Sequence, residues 1–395
     1  MYPLAAYEAM LADDVRVRAY LEAIRRTVRD GDIVLELGTG VGFFAVAACR
    51  AGAAHVYAIE PNDAITLGPQ VAAANGCAER ITFVQASSGR VSLPVRADVL
   101  IEDMRGVLPI AGDRLDVLAD AKARLLTDVA RMIPLRDSLW AAPVRMPASL
   151  SDSMLTEVAP HGIEVTALQR LVRNTWHRAH AEATDTLAAP RRWADVDPMT
   201  GASEVEGGGN WTVAVDGTMA GWCVWFDSEL ADGVHLCCSP LAARTIYGQA
   251  FFPLEHPCAV RAGTNIEALF RARRSENDYA WVWESRIRHD DGTELHARQS
   301  SLAGMLLDAR RLRTMAQDAQ PSATLQVRVN EALLHLVDGH RTLREIGRLL
   351  LHAHPTVFRD EQDALRFAAG RLDAINREER LRESVTFLDS PKAER

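Results

Sequence analysis

A short apolar run that leads directly into three closely spaced glycines constrains this chain more than any other feature. Ile33 to Leu37 is followed by Gly38-Thr39-Gly40-Val41-Gly42, and a small-residue helical pattern covers Phe43 to Ala51. Glycine permits the positive φ angles of a tight turn and lets a ligand approach the backbone closely. A strand, a glycine turn and a helix in this order predict an α/β fold whose ligand lies beyond the carboxyl end of the strand.

Strand-like and helix-like segments alternate on both sides of this turn. A helical pattern covers Tyr7 to Thr27, and another covers Ile65 to Asn75. Strand-like runs lie at His55 to Glu60, Ile81 to Gln85 and Ala97 to Glu102. We therefore predict a Rossmann-like domain, a parallel sheet flanked by helices, at residues 1–139.

The pattern changes near Trp140. Strand-like runs separated by glycine, aspartate and proline turns lie at Trp211 to Val215, after Gly207-Gly208-Gly209, and at Gly221 to Phe226 and Val234 to Cys238. Thr264 to Arg273 and Tyr279 to His289 form a candidate hairpin. These short strands predict an antiparallel β-barrel domain at residues 140–320.

Helical signals return after Pro321. Leu325 to Val337 and Glu361 to Asn376 are amphipathic, and Thr342 followed by Glu345 is a capping box that starts a helix between them. The apolar alternation from Ser384 to Leu388 predicts a wing strand. We expect a small winged-helix-like domain at residues 321–395.

Composition excludes several classes of function. The formal net charge of -9 argues against nucleic acid as a general partner, although the helix-turn-helix pattern near the C-terminus leaves local DNA binding open. No segment is long and apolar enough to span a membrane, and the first residues lack a secretory signal, so we expect a cytoplasmic protein. The six cysteines show no Cys-x-x-Cys pair, so we predict neither a metal site nor a disulfide framework.

Glu60, which ends the second strand, completes a candidate ligand site with the glycine turn. An acid in this position accepts hydrogen bonds from both hydroxyls of a ribose, so the pair predicts a cofactor that carries a nucleoside. The spacing favours S-adenosylmethionine because the Gly-x-Gly-x-x-Gly of dinucleotide enzymes is not met. A nicotinamide cofactor, or glycines that only turn the chain, remain open at this point.

Several separated motifs resemble protein arginine methyltransferases. They are Tyr7 to Arg16, Gly31 to Gly40, Ala51 to Glu60 and Asn75-Gly76, with weaker similarity at Met132-Ile133-Pro134, Gly221-Trp222 and Gln249 to Leu254. The resemblance covers roughly the first three quarters of the chain. It implies an S-adenosylmethionine-dependent methyltransferase that acts on a peptide or protein and, by analogy, forms a homodimer.

The resemblance also implies roles for individual residues. Arg16 would pair with the carboxylate of the cofactor's methionine part, unless it is an exposed helix arginine. Glu60 would hold the ribose hydroxyls, and Ser88 would lie near the adenine. The remaining residues expected to line the cofactor are Gly38, Thr39, Gly40, Gly42 and Glu102, and those expected to bind substrate are Tyr7, Met10 and Tyr247.

The loop after the strand that ends at Glu102 departs from that family, which holds the substrate guanidinium between two glutamates. Asp103 stands where the first glutamate is expected, Arg105 follows it, and Gly112-Asp113 occupies the second position. Thr245-Ile246-Tyr247 likewise lacks the family's histidine. One carboxylate beside an arginine neutralises a guanidinium poorly in a pocket of low dielectric constant.

We therefore name Glu102, Asp103, Arg105 and Asp113 as candidate catalytic residues, and we expect an acceptor group different from the guanidinium of that family. Arg105 is expected either to attract an anionic acceptor such as a carboxylate, giving O-methylation, or to pair at the surface with Asp103 or Asp113.

The segment from Asn330 to Ile346 looks like the winged-helix peptide-binding domains related to the peptide chaperone of pyrroloquinoline quinone biosynthesis. Such domains capture the leader of a ribosomally made precursor peptide (RiPP), often along a strand edge. Together the domains predict tailoring of a ribosomal peptide, since tethering raises the effective concentration of the substrate. A true protein arginine methyltransferase and a catalytically silent binding scaffold are the alternatives.

Overall fold

The structure, a computed structural model, describes residues 3–154, 159–198, 204–275, 278–289, 291–306, 308–320, 322–382 and 385–386. Contacts divide the chain into one compact unit formed by Met1–Met305 with Val385–Arg395 and a second formed by Leu306–Ser384. The regions predicted as the first two domains therefore share one unit. In the part of the chain that is described, no helix has the length and apolar character needed to cross a membrane.

Five parallel strands form the first sheet of the larger unit. The strands of this region are β1 Ile33–Leu37, β2 His55–Ile59, β3 Ile81–Val84, β4 Val91–Ser92, β5 Ala97–Glu102 and β6 Leu126–Ile133. Their order in the sheet is β3-β2-β1-β5-β6, with β4 outside it. The chain runs outward from β1 in one direction and resumes at β5 in the other, which opens a crevice beyond the carboxyl ends of β1 and β5.

The helices of this region are α1 Leu4–Ala12, α2 Asp14–Thr27, α3 Phe43–Arg50, α4 Gly68–Ala74 and α5 Arg114–Arg124. The predicted single helix over residues 7–27 is in fact two, because the chain breaks at Asp13. The Asp13 carboxylate accepts hydrogen bonds from the backbone N–H of Arg16 at 3.0 Å and of Ile246 at 2.7 Å. This N-cap starts α2 and places Arg16 in its first turn.

Two antiparallel sheets follow. The first contains β7 Arg136–Val144, β8 His177–Ala179, β9 Arg191–Val196, β11 Gly217–Ala231, β12 Val234–Cys237 and β13 Gln249–Val260. The second contains β10 Glu204–Thr212, β14 Asn265–Ser275, β15 Asp278–Arg288 and β16 Glu294–Ser300, and the helices between strands are α6 Ala148–Ser151 and α7 Thr166–Arg173. The first sheet has the order β8-β13-β11-β7-β9 with β12 beside β11, and the second has the order β10-β14-β15-β16. The predicted β14–β15 hairpin is confirmed, whereas the boundary set after residue 139 falls inside β7.

Aromatic side chains fill the space between the two antiparallel sheets. The ring of Trp222 lies 4.8 Å from that of Trp211 and 5.5 Å from that of Phe270, and its Nε1 donates to Ser285 at 2.9 Å. The three consecutive glycines lie inside β10. The backbone of neighbouring strands passes close to Gly207 and Gly208. A Cβ on Gly208 would stand 2.1 Å from the carbonyl oxygen of Ala268.

The smaller unit is helical where it is described. It contains α8 Ala309–Met315, α9 Leu325–Leu336, α10 Leu343–Ala353 and α11 Glu361–Arg382. The capping box of α10 is confirmed: the Thr342 hydroxyl accepts from the Glu345 N–H at 3.3 Å, and the Glu345 carboxylate accepts from the Thr342 N–H at 2.8 Å. A separate apolar core includes Val329, Leu333 and Leu350.

The predicted strand is confirmed for the two residues of that stretch that are described, but its pairing is not that of a wing. Val385–Thr386 forms β17, which pairs in parallel with β4 of the larger unit. The rest of the stretch, at 384 and 387–388, lies outside the described residues. Short helices with a good cap are thus present, but the described residues of the smaller unit, 306, 308–320 and 322–382, contain no strand.

Candidate active site

Two elements, α1 and the loop after β5, pack against the glycine turn that follows β1. Gly38, Gly40 and Gly42 all have positive φ angles, of 74°, 57° and 84°. A Cβ on Gly40 would lie 2.7 Å from the Tyr7 ring, and one on Gly38 would lie 3.1 Å from the Met104 side chain. The turn therefore requires glycine, and it brings α1 and the loop after β5 together at the crevice.

Glu60 holds the turn from the neighbouring strand. Its carboxylate accepts from the backbone N–H of Gly40 at 3.0 Å and of Asn62 at 2.8 Å. Burial raises the pKa of Glu60, while these two hydrogen bonds act in the opposite direction. Each carboxylate oxygen can accept more than one hydrogen bond, so Glu60 retains acceptor capacity for the two hydroxyls of a ribose. The residues present thus fit the predicted cofactor.

Glu36, inside β1, is a site residue that the sequence interpretation missed. Its side chain is buried, and its Oε2 accepts from the Thr39 hydroxyl at 2.6 Å. Burial, together with the nearby carboxylate of Glu60, raises the pKa of Glu36 to about 8. The signal was available, because an acid in the middle of a buried apolar strand is rare without a special environment.

The raised pKa of Glu36 predicts a pH dependence of stability. At pH values between the ordinary pKa of 4.5 and the raised pKa of about 8, folding is accompanied by uptake of a proton on Glu36. The contribution of Glu36 to stability therefore falls as pH rises through that range. We expect Glu36→Gln to remove a slope of about 1.4 kcal/mol per pH unit from the free energy of unfolding. Urea unfolding at pH 5.5, 6.5 and 7.5 measures it, with exposed Glu79→Gln as control. An unchanged slope in Glu36→Gln would contradict the assignment.

Arg16 is buried, so the alternative of an exposed helix arginine is wrong. Its Nε donates to Asp103 at 2.5 Å and to the Tyr247 hydroxyl at 3.2 Å, and its Nη1 donates to the Met10 carbonyl at 3.0 Å. The guanidinium also lies over the Phe44 ring, 5.2 Å from its centre. Four predicted site residues, Arg16, Met10, Asp103 and Tyr247, are therefore in direct contact.

Asp103 lies at the centre of these contacts. The Tyr247 hydroxyl donates to its carboxylate, whose oxygens are 2.7 and 2.6 Å away. Burial alone would raise the pKa of Asp103, but Arg16 and Arg105 hold it at about 2. Asp103 is therefore ionised over the whole physiological range, and it is a very weak base.

Arg105 pairs with Asp103, as one of the two expectations had it, but its side chain is fully buried rather than at the surface. Its Nε and Nη2 donate to Asp103 at 3.1 and 3.0 Å. Its Nη1 donates to Asp137 at 2.9 Å and to Ser228, and its Nη2 also contacts the Tyr20 hydroxyl. The hypothesis that Arg105 attracts an anionic acceptor loses its basis, since its N–H groups are already used inside the protein.

Glu102 and Arg114 form a second buried pair beside the first. Arg114 donates to both carboxylate oxygens of Glu102, through Nε at 3.2 Å and through Nη2. Its Nη2 also lies 3.2 Å from Asp137, and its Nη1 donates to the Pro109 carbonyl at 2.9 Å. Asp113 is exposed at the start of α5 and belongs to none of the ion pairs found among the described residues.

Six residues therefore form what we call the ion-pair cluster: Arg16, Arg105, Arg114, Glu102, Asp103 and Asp137. The three positive and three negative charges balance, and no side chain of the cluster is more than 8% exposed. Asp137 and Arg114 were not predicted. Asp137 belongs to β7 in a different sheet, so no local pattern connects it with its partners.

The other predicted residues occupy the same edge of the parallel sheet. Tyr7 is half-buried against the glycine turn, and Ser88 is buried in the 3-10 turn Ser88–Arg90 that follows β3. Tyr247 is buried, so it acts through Asp103 rather than as an open surface for substrate.

The fold and this site define a class of enzyme. Residues 17–104 match the family model of the ribosomal protein L11 methyltransferase (PrmA), and the curated relatives of the chain are methyltransferases. The chain is an S-adenosylmethionine-dependent methyltransferase, as the sequence predicted.

Among methyltransferases, the chain is similar to enzymes named for the methylation of arginine. The chain is 26% identical over 309 residues to protein arginine N-methyltransferase PRMT10 of Oryza sativa subsp. japonica, an alignment that covers 68% of this chain and 81% of that protein. It is 27% identical over 273 residues to the arginine N(omega)-methyltransferase of Streptomyces achromogenes subsp. streptozoticus, covering 65% and 73%.

Two solved structures share the fold. One is the Trypanosoma brucei PRMT1 enzyme-prozyme heterotetrameric complex with AdoHcy, with a TM-score of 0.67, 19% identity and coverage of 75% of this chain and 97% of that chain. The other is Arabidopsis thaliana protein arginine methyltransferase 10, with a TM-score of 0.65, 20% identity and coverage of 76% and 98%. The described fold from α1 to β16 is therefore similar to that of arginine methyltransferases.

Proposed function

We propose that this enzyme methylates a peptide segment at the crevice between β1 and β5, and that the peptide is a ribosomally made precursor. The observation that carries the proposal is the direct contact of Arg16, in α2, with the loop after β5 beside the glycine turn. Bound S-adenosylmethionine supplies an electrophilic methyl group on a positively charged sulfur. Cofactor and acceptor sides of the site are thereby held next to each other.

Individual residues have distinct tasks in this proposal. Glu60 accepts the ribose hydroxyls, Arg16 binds the carboxylate of the methionine part, and Ser88 lies on the adenine side. Gly38, Thr39, Gly40 and Gly42 shape the turn against which the cofactor rests. Glu102 accepts from the Met104 N–H at 2.9 Å and so fixes the start of the acceptor loop. Tyr7 and Met10 line the substrate entrance.

The smaller helical unit is proposed to hold the precursor's leader. Leu334, Val337 and Leu343 are 51%, 48% and 43% exposed on α9, at its end and on α10. Since the described part of this unit has no strand edge, these apolar side chains, rather than main-chain pairing, would contact a leader. The carboxylate-acceptor hypothesis is not carried over, because it depended on Arg105.

A charge introduced on this surface tests the leader proposal in the full chain. We expect Leu334→Asp combined with Val337→Asp to raise KM for a precursor peptide encoded beside the gene by at least roughly 10-fold, about 1.4 kcal/mol, with kcat retained. Val129→Asp, at an 84% exposed position of β6, is the matched control. Mass spectrometry of the methylated peptide follows the reaction. Equal KM values in the double variant and the control would count against a role for the helical unit.

A homodimer is proposed by analogy with oligomeric relatives. Two surfaces of the larger unit are compatible with it. Ile163 and Leu168, before and within α7, are 68% and 54% exposed. A groove of about 340 Å³ between α2, α3 and α4 is lined by apolar residues that include Phe43 and Val71.

A further inference from the structure

We infer that the acceptor is an uncharged nucleophile with a lone pair of its own, such as a histidine imidazole or a cysteine thiol, and neither a guanidinium nor a carboxylate. The inference rests on the proposed function and specifies the substrate class of the same site. It follows from counting the hydrogen-bond partners of the ion-pair cluster, which the proposed function places on the acceptor side of the crevice.

Every carboxylate oxygen of the cluster already accepts a hydrogen bond from a donor of the protein, and an arginine is among the donors of each. Each oxygen of Asp103 accepts from an arginine, Oδ1 from Arg105 and Oδ2 from Arg16, and the Tyr247 hydroxyl donates its single hydrogen to the same carboxylate. Both oxygens of Glu102 accept from Arg114. A guanidinium entering this site would have to share its acceptor oxygens with an arginine of the protein or displace that arginine. Sharing places two positive charges side by side in a buried environment, and displacement breaks a buried ion pair, so both are strongly disfavoured.

Asp137 completes the set. Its Oδ1 accepts from Arg105 at 2.9 Å and from Ser228, and its Oδ2 lies 3.2 Å from Arg114. All six carboxylate oxygens of the cluster thus contact donors that belong to the protein.

The donors of Arg105 and Arg114 are equally committed, and the proposed function assigns Arg16 to the carboxylate of the cofactor, which disfavours an anionic acceptor. Every nitrogen of the Arg105 guanidinium contacts an oxygen of the protein. The same is true of Arg114, whose three nitrogens contact Glu102, Asp137 and the Pro109 carbonyl. A carboxylate would lose its water without gaining hydrogen bonds, and a buried ion without partners is strongly disfavoured.

The chemistry also requires an acceptor that needs little help from a base. In the transfer, the acceptor lone pair forms a bond to the methyl carbon, the carbon–sulfur bond breaks with its electron pair left on sulfur, and the acceptor's proton passes to water. Asp103, held ionised by two arginines, takes up a proton poorly. A neutral imidazole already carries a free lone pair near pH 7, and a thiol ionises close to that range.

A set of five peptides tests the inference. They share one sequence and differ at a central His, Cys, Arg, Lys or Asp, and each is incubated with the full-length enzyme and labelled S-adenosylmethionine. We expect methylhistidine or methylcysteine after acid hydrolysis. The inference would be overturned by methylarginine, methyllysine or a base-labile methyl ester. It would also be overturned if no methyl group is transferred although calorimetry shows that S-adenosylhomocysteine binds. Absence of S-adenosylhomocysteine binding would instead overturn the proposed function.

A charge-neutral double variant adds a readout that does not depend on turnover. Arg105→Met with Asp137→Asn removes one positive and one negative charge and releases Asp103 Oδ1 from its arginine partner. We expect the Arg peptide to bind the complex of this variant with S-adenosylhomocysteine at least roughly 10-fold more tightly than it binds wild type, by calorimetry. Circular dichroism and S-adenosylhomocysteine affinity verify that the variant folds. Equal binding by a folded variant would show that the cluster does not exclude guanidinium.

Discussion

Replacing Asp137 with asparagine is expected to lower the free energy of unfolding by about 3 kcal/mol or more. The Asp137 side chain is fully buried between Arg105 and Arg114, at 2.9 and 3.2 Å. Asparagine keeps the shape but removes the charge, so that two buried arginines share too few negative partners. Breaking a buried ion pair on one side typically costs about 3–5 kcal/mol because an uncompensated charge remains.

Urea unfolding followed by circular dichroism measures this effect, and Asp128→Asn serves as the control. Asp128 is fully exposed and lies 4.0 Å from Arg96. Exposed pairs of this kind contribute between about 0 and 1 kcal/mol, so the control should unfold almost as the wild type does. Similar stabilities for Asp137→Asn and Asp128→Asn would mean that the ion-pair cluster does not stabilise the contact between the parallel sheet and the first antiparallel sheet.

The second large effect is expected on cofactor affinity. Glu60→Gln should weaken binding of S-adenosylhomocysteine by roughly 30-fold, which corresponds to about 2 kcal/mol. Glutamine keeps one acceptor oxygen for the Gly40 N–H but loses the negative charge that strengthens hydrogen bonds from ribose hydroxyls. Isothermal titration calorimetry at one pH compares the variant with wild type.

Glu79→Gln is the matched control for this measurement, since Glu79 is an exposed acid elsewhere in the same unit. Its dissociation constant should equal that of the wild type. A dissociation constant for Glu60→Gln within a factor of two of the wild-type value would remove Glu60 from the cofactor site.

The parts of the site that sequence patterns predicted are those encoded by neighbouring residues. β1 covers Ile33–Leu37 as the apolar run indicated, and the glycine turn follows it because positive φ angles favour glycine. Glu60 stands directly after β2, as expected from the spacing. A strand, a turn and a helix each depend on short-range periodicity, which a single sequence displays directly.

The parts that were missed depend on contacts between distant segments. Arg105 was expected to attract an anionic acceptor or to pair at the surface. The pairing with Asp137 was missed because Asp137 comes from another sheet, beside Ser228 of β11. Likewise, Gly207 and Gly208 looked like a connection, whereas they allow β10 to pack tightly against Trp193 and β14. Periodicity carries no information on which distant charge or backbone lies opposite.

The wing strand shows the same limit in another form. The alternation after Ser384 predicted a strand correctly at Val385–Thr386, but the pairing partner is β4. A strand's partner depends on the available sheet edge rather than on its own sequence. The local pattern therefore predicted the element but not the sheet to which it belongs.

The most direct test of the central claim is a crystal structure of this chain with S-adenosylhomocysteine. Our account predicts that the Glu60 carboxylate lies within hydrogen-bond distance of both ribose hydroxyls, with the nucleoside against the turn from Gly38 to Gly42. A nucleoside bound elsewhere, or a ribose that makes no contact with Glu60, would contradict it.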